Sequence, residues 1–153
     1  MNMNMNKRGI TLMELIIVMA IIAMGAVLMV PNIAAWLPNY RLRSATRDIV
    51  SSMRVAQMKA VTSNIQYRVS FDNGNNSYVI QRQTTAGLNN FVDEGGTQSL
   101  PLGITFNSIT FGGSLVVFNP NSTASSGNMV LKNPKGTQKT ISVLSTTGRV
   151  RVE

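Results

Sequence analysis

The sequence predicts an α+β protein, with one long N-terminal α-helix packed on a C-terminal antiparallel β-sheet or sandwich. Two observations predict it. From Ile10 to Val30 run 21 residues with one ionisable side chain, and a three- and four-residue apolar repeat follows from Arg41 to about Ser63. Beyond Ile65 the apolar period drops to two, and turn residues separate the short runs.

The apolar run sets the first half of the helix. At about 1.5 Å per residue it is roughly 30 Å long, the thickness of a bilayer's hydrocarbon core. Its one charge is Glu14. A carboxylate near the end of such a helix is costly and marks a function that supplies a partner. A secretory signal peptide has a shorter apolar core and a small-residue cleavage site, which Met29-Val30-Pro31 is not. Ahead of the run, Met1 to Arg8 is a Met-Asn leader ending in Lys7-Arg8. Those two cations hold this end in the cytoplasm. The expectation is a single-pass membrane protein, its N-terminus cytoplasmic and its C-terminal domain on the far side.

The helix is expected to continue through Trp36 and Leu37, with Pro38 a possible kink. Trp36 and Tyr40 stand where aromatic residues mark a membrane boundary. Leu42, Ala45, Ile49, Met53, Ala56 and Ala60 then share one face, and Arg43, Arg47 and Arg54 lie roughly opposite. The arginine stripe reads as a solvated helix back or as a contact surface. The expected division is a leader over 1–9, a membrane and assembly helix over 10–37, its amphipathic second half over 38–63 and a β-rich domain over 64–153.

In that domain Ile65, Tyr67, Val69 and Phe71 alternate with polar residues, and Asp72-Asn73-Gly74-Asn75-Asn76 closes a hairpin returning to Gln83. Thr84 to Gln98 is expected as a surface loop. Strands follow around 104–106, 109–111, 115–118, 129–132, 140–144 and 149–152, with loop from Asn119 to Asn128 and a tight turn at Asn133-Pro134-Lys135-Gly136.

Composition narrows the chemistry. The 153 residues carry a net charge of +8 and contain neither cysteine nor histidine. Without residues 1–9, twelve basic side chains face six acidic ones, an excess of +6 that favours polyanions. No disulfide, thiolate metal site or histidine base is available. Asp93-Glu94 reads as a solvated carboxylate pair in a Gly-rich loop, and Gly95-Gly96 and Gly112-Gly113 match no phosphate loop. No catalytic residue, metal site or cofactor is expected.

Gly9 followed by Ile10-Thr11-Leu12-Met13-Glu14 resembles the class III signal peptide of type IV pilins and type II secretion pseudopilins. The resemblance implies that a prepilin peptidase cuts after Gly9 and methylates the new N-terminus at Ile10. Ile10 departs from the family's usual Phe. Pro31 matches the family's helix-kinking proline, and Glu14 its filament-assembly glutamate, which pairs with the N-terminal amine of a neighbouring subunit. That pairing makes physical sense, because two opposite charges attract strongly where water is excluded.

The second half is similar to the GspH/FimT branch. The residues are Phe118-x-Pro120, Ser126-Gly127, Met129-Val130-Leu131, Ile141-Ser142-Val143 and Gly148-Arg149-Val150-Arg151. In FimT-like minor pilins a Gly-Arg-x-Arg tail is associated with binding double-stranded DNA for uptake. Alternate strand residues share a face, so Arg149 and Arg151 project together. Lys132, Lys135 and Lys139 are expected to widen that patch. The resemblance thus implies a minor pilin of a type IV pilus, partnered by prepilin peptidase, other pilins, the inner membrane and DNA. The alternatives are a GspH-like pseudopilin of type II secretion and a membrane-anchored DNA-binding module that never polymerises.

Overall fold

A computed structural model describes residues 10–85 and 89–153. Its first element, α1, is a 52-residue helix over Leu12–Ser63. Thr11 caps it: its Oγ1 accepts the Glu14 N–H at 3.2 Å, and its carbonyl accepts the Leu15 N–H at 3.2 Å. Thr11-x-x-Glu14 is the sequence form of a capping box, and a carboxylate in the first turn faces the positive end of the helix dipole. The helix stops at Asn64, whose φ of 52° turns the chain out. The backbone stays helical through positions 31 and 38.

The chain divides into two units, Met1–Leu37 and Pro38–Glu153. In the first, Leu15, Ile16, Ile17, Val18, Met19, Ile21 and Ile22 are all exposed. Among the described residues no helix is long and apolar enough to cross a membrane. The membrane segment expected over 10–37 includes side chains outside that description, Pro31 among them, and Gly9 lies outside the described residues.

The second unit is built on two antiparallel sheets. In the first sheet the order is β3(Phe91–Asp93), β2(Ser77–Gln83), β1(Tyr67–Asp72), β6(Leu115–Phe118), and β4(Gln98–Ser99) also pairs with β2. The expected hairpin is present, with Phe71 opposite Tyr78 and Asp72 opposite Ser77. Asp72 shapes its turn, accepting the N–H of Gly74 at 2.8 Å and the Asn75 amide at 2.6 Å. The second sheet runs β5(Thr105–Ile109), β7(Gly127–Lys132), β8(Gln138–Val143), β9(Val150–Val152). One core joins α1 to both sheets. It contains Leu42, Ala45, Ile49, Met53, Ala56 and Ala60 from the helix, Val69 and Phe118 from the first sheet, and Met129, Leu131 and Ile141 from the second.

Three expectations about this domain are corrected. The strands expected at 104–106 and 109–111 are one strand, β5, which pairs Phe106 with Leu131 and Ser108 with Val130. Asn107 is the extra residue of a bulge, and a bulge breaks the alternation by which a strand is recognised. The segment 84–98 is no plain loop, because β3 and β4 pair with the edge of β2. Glu94 is not a free solvated carboxylate either: it pairs with Lys59 of α1, and its Oε2 lies 3.7 Å from Arg82 Nε.

That cluster sets two charges. The Lys59 hydrogen bond holds the Glu94 carboxyl below its ordinary value of 4.5, helped by the Tyr67 hydroxyl. Glu94 in turn raises the Lys59 ammonium above 10.5. Both side chains keep partial exposure to water, so the pair is a modest tether rather than a strong one.

Candidate functional site

Apart from Lys132 and Lys135, the described cations fall into two groups. Arg41 donates to the Leu102 carbonyl at 3.2 Å, Arg68 lies 4.0 Å from the centre of the Phe91 ring and bonds Gln81, and Lys59 and Arg82 meet at Glu94. These four brace the fold. Arg43, Arg47, Arg54, Lys139, Arg149 and Arg151 instead line two adjoining clefts on one side of the second unit.

The first cleft, of about 440 Å³, lies between α1 and the second sheet. It is lined by Arg43, Thr46, Arg47, Val50, Ser51 and Arg54 from the helix, and by Lys139 and Val152 from the strands. Helix geometry explains the first set. Steps of four and seven residues return to one side of a helix, so Arg43, Arg47 and Arg54 form a row beside the half-turn that carries Val50. Lys139 joins them because it is cross-strand to Leu131 and so shares the core-facing side of its sheet, at its rim.

The second cleft, of about 580 Å³, is lined by Arg54, Gln57 and the tail Arg149-Val150-Arg151-Val152-Glu153. Arg54 and Val152 belong to both clefts. The tail strand β9 is the outer strand of its sheet, with Val150 opposite Val143 and Arg151 opposite Ser142. Val150 is therefore buried while Arg149 and Arg151 stay exposed, as the alternation requires.

The turn before β9 is tied to the helix. Gln57 Nε2 donates to the Thr147 carbonyl at 3.0 Å. Gly148 has φ of 61°, and a Cβ there would lie 2.6 Å from Gln57 Nε2 and 2.9 Å from the Ser122 carbonyl oxygen. Only glycine meets both demands. The glycine of Gly-Arg-x-Arg thus lets the chain turn tightly against α1 and start β9 in register.

The structure brings together Arg149, Arg151 and Lys139 of the sequence candidates and separates the rest. Lys132, opposite Gln138, shares the outer face of the sheet with Arg151, opposite Ser142, but it lies two strands from β9 and lines neither cleft. Lys135 sits in a turn fixed by buried Asn133, whose Oδ1 accepts its N–H at 3.0 Å and whose Nδ2 donates to Asn39 at 2.8 Å. This turn lies outside both clefts. Glu14 is exposed in the first turn of α1. Sequence reasoning had the helix arginines but left their role open, and it missed Gln57 and Gly148 as the residues that seat the tail. The four- and seven-residue arginine spacing was the available signal. Among the described residues no group of acidic side chains is arranged to hold a metal ion.

Comparisons with known proteins fit this architecture. The family model of the type II transport protein GspH matches residues 45–148, and the prokaryotic N-terminal methylation motif matches residues 4–30. Arg149 and Arg151 lie just beyond the first match. No curated protein matches the chain. Among solved structures, the minor pseudopilin EpsH of the type II secretion system of Vibrio cholerae superposes with a TM-score of 0.62 at 9% identity, over 74% of this chain and 96% of that one. The type IV minor pilin FimU of Pseudomonas aeruginosa gives 0.58 at 13% identity, over 75% and 90%. At such identities the likeness speaks for the fold.

Proposed function

The chain belongs to the GspH family of the type IV pilin and pseudopilin superfamily, and from that premise we propose that it is a FimT-like minor pilin of a type IV pilus that binds double-stranded DNA through its tail. The superfamily consists of filament subunits and is not an enzyme family. Its methylation motif implies processing by prepilin peptidase and assembly with other pilins. In this reading cleavage after Gly9 frees Ile10, and the apolar segment anchors the subunit in the inner membrane. Glu14 and Pro31 then serve its transfer into the fibre.

The observation that carries the DNA reading is the placement of Arg149 and Arg151 at an exposed outer strand, in one cleft with Arg54, with no acid ion-paired to any of the three among the described residues. A guanidinium donates two hydrogen bonds to one phosphate, so such a strand grips a nucleic-acid backbone without reading bases. The second reading is a GspH-like minor pseudopilin of type II secretion. The family description and the EpsH superposition favour it.

A deletion strain separates the two readings. The wild-type gene restores DNA uptake, and Arg149→Ala/Arg151→Ala restores fibres but not uptake. Loss and rescue of protein secretion, with uptake unchanged, selects the secretion reading instead.

A further inference from the structure

Arg43, Arg47 and Arg54 span eleven residues of α1, a row roughly 16 Å long. Together with Lys139, Arg149 and Arg151 they make six cations with no hydrogen-bond or ion-pair partner among the described residues. Two carboxylates stand near. Asp48 shares a cleft with Arg43 and Arg47 without pairing to either, its carboxylate accepting from Ser44 Oγ at 3.5 Å, and Glu153 lines the tail cleft. Six cations held near one another by rigid elements still outnumber these two acids, and a polyanion laid along them relieves their repulsion.

We propose that the helix row and the tail form one continuous track for the backbone of duplex DNA, with Arg54 as the junction. This rests on the DNA reading of the tail and extends it to the helix. Arg54 is the cation that lines both clefts, so it is where a strand crossing the rim of β9 passes onto α1. The spacing suits a nucleic acid. A duplex carries one charge per ~3.4 Å on each strand, so a row of roughly 16 Å faces about five phosphates of one strand. The apolar floor between the cations of the first cleft is formed by Val50 and Val152, and no aromatic side chain lines either cleft to insert into a bilayer or stack on a base. Binding along this track is therefore blind to sequence and steeply dependent on salt.

The test uses the full chain in a neutral detergent and anisotropy of a labelled duplex of about 30 base pairs, from about 50 to about 300 mM KCl. Six phosphate contacts give a slope of log K against log salt near −5. Arg54→Gln is expected to weaken binding about 5- to 10-fold at about 100 mM salt and to flatten the slope by about 1. Arg43→Gln/Arg47→Gln flattens it by about 2, and Arg54→Lys keeps the wild-type slope. Circular dichroism melting confirms that each variant is folded.

If the helix variants bind like wild type while Arg149→Ala/Arg151→Ala does not, the track is refuted and the tail reading stands. Absence of binding by the wild-type chain overturns both. Wild-type binding to phosphatidylglycerol vesicles that excess duplex fails to displace makes a lipid surface the partner and also refutes the track.

Discussion

Met19 and Met53 sit on one helix and meet opposite surroundings. Met19 is 60% exposed in the first unit, among isoleucines and valines that are exposed as well. Met53 is 0% exposed in the second, packed among Ile49, Ala56 and the two sheets. Both halves of the helix are apolar, but among the described residues only the second packs against a matching apolar face of the same chain. The second half is also striped, with charges on one side and apolar residues on the other, whereas the first is apolar all round. An all-round apolar helix has nothing to bury against in a single small domain, so its partners are lipid or other helices. The difference teaches that one element meets two environments: within Pro38–Glu153 its apolar face is buried by the chain's own sheets, and in the first unit its described apolar side chains stay exposed.

The comparison is broken most directly at Glu14. Glu14→Ala is expected to leave leader cleavage intact and to lower recovery in sheared filaments by more than about tenfold, as befits a charge that needs a partner subunit. Equal recovery of mutant and wild type makes the first unit a plain anchor.

Next comes the methionine pair itself. Met53→Ala is expected to destabilise the domain by about 2–4 kcal/mol in urea unfolding in detergent, through lost burial and the cavity left. Met19→Ala should stay within about 0.5 kcal/mol. Comparable losses at both sites put the first half inside the same cooperative unit.

Gly148→Ala tests whether the tail is built into the domain. A left-handed φ costs about 1–2 kcal/mol for alanine, and the new methyl displaces Gln57. A loss of about 2 kcal/mol in the same assay is expected, with weaker DNA binding as the tail leaves its seat. An unchanged midpoint shows that the tail is not held there.

The smallest effect is at Glu94. Its folded carboxyl titrates below 4.5, so its contribution is present above that value and fades as acid carries the pH through the lowered folded value. Lys59 is raised, so its side of the pair is present below 10.5 and is lost as the pH climbs past the raised value. The wild-type advantage over Glu94→Gln should therefore be largest between those limits, at most about 1 kcal/mol for a partly exposed pair, and shrink as the pH falls below 4.5. A melting difference that does not shrink with acid assigns Glu94 a packing role instead.

Much of this architecture was legible in the sequence, because periodicity reports burial. Leu42, Ala45, Ile49, Met53, Ala56 and Ala60 were read as one helix face and all are buried. The hairpin at Asp72–Asn76 was legible because asparagine and glycine tolerate the backbone that a tight turn needs. What escaped were features without a local signal. β3 and β4 are short and polar, and exist because the edge of β2 offers them hydrogen bonds. The bulge at Asn107 erased the alternation on both sides of it. The tail arginines were singled out by their motif, but the cations nearest to them were not legible: Lys132 lies two strands from β9 and Lys135 in the Asn133 turn, and neither lines the tail cleft.

By itself the sequence determined the long helix, its division into an all-apolar half and a striped half, the antiparallel sheet pattern and the cleavage-like motif around Gly9, Ile10 and Glu14. Each is written in spacings of one to seven residues, which local backbone geometry converts directly into faces. Only the tertiary structure decided that Arg54, ninety-five residues before Arg149, lies in the same cleft, that Gln57 seats the tail, and that Glu94 is tied to Lys59. Such contacts depend on where the core places whole elements, and no local periodicity encodes that.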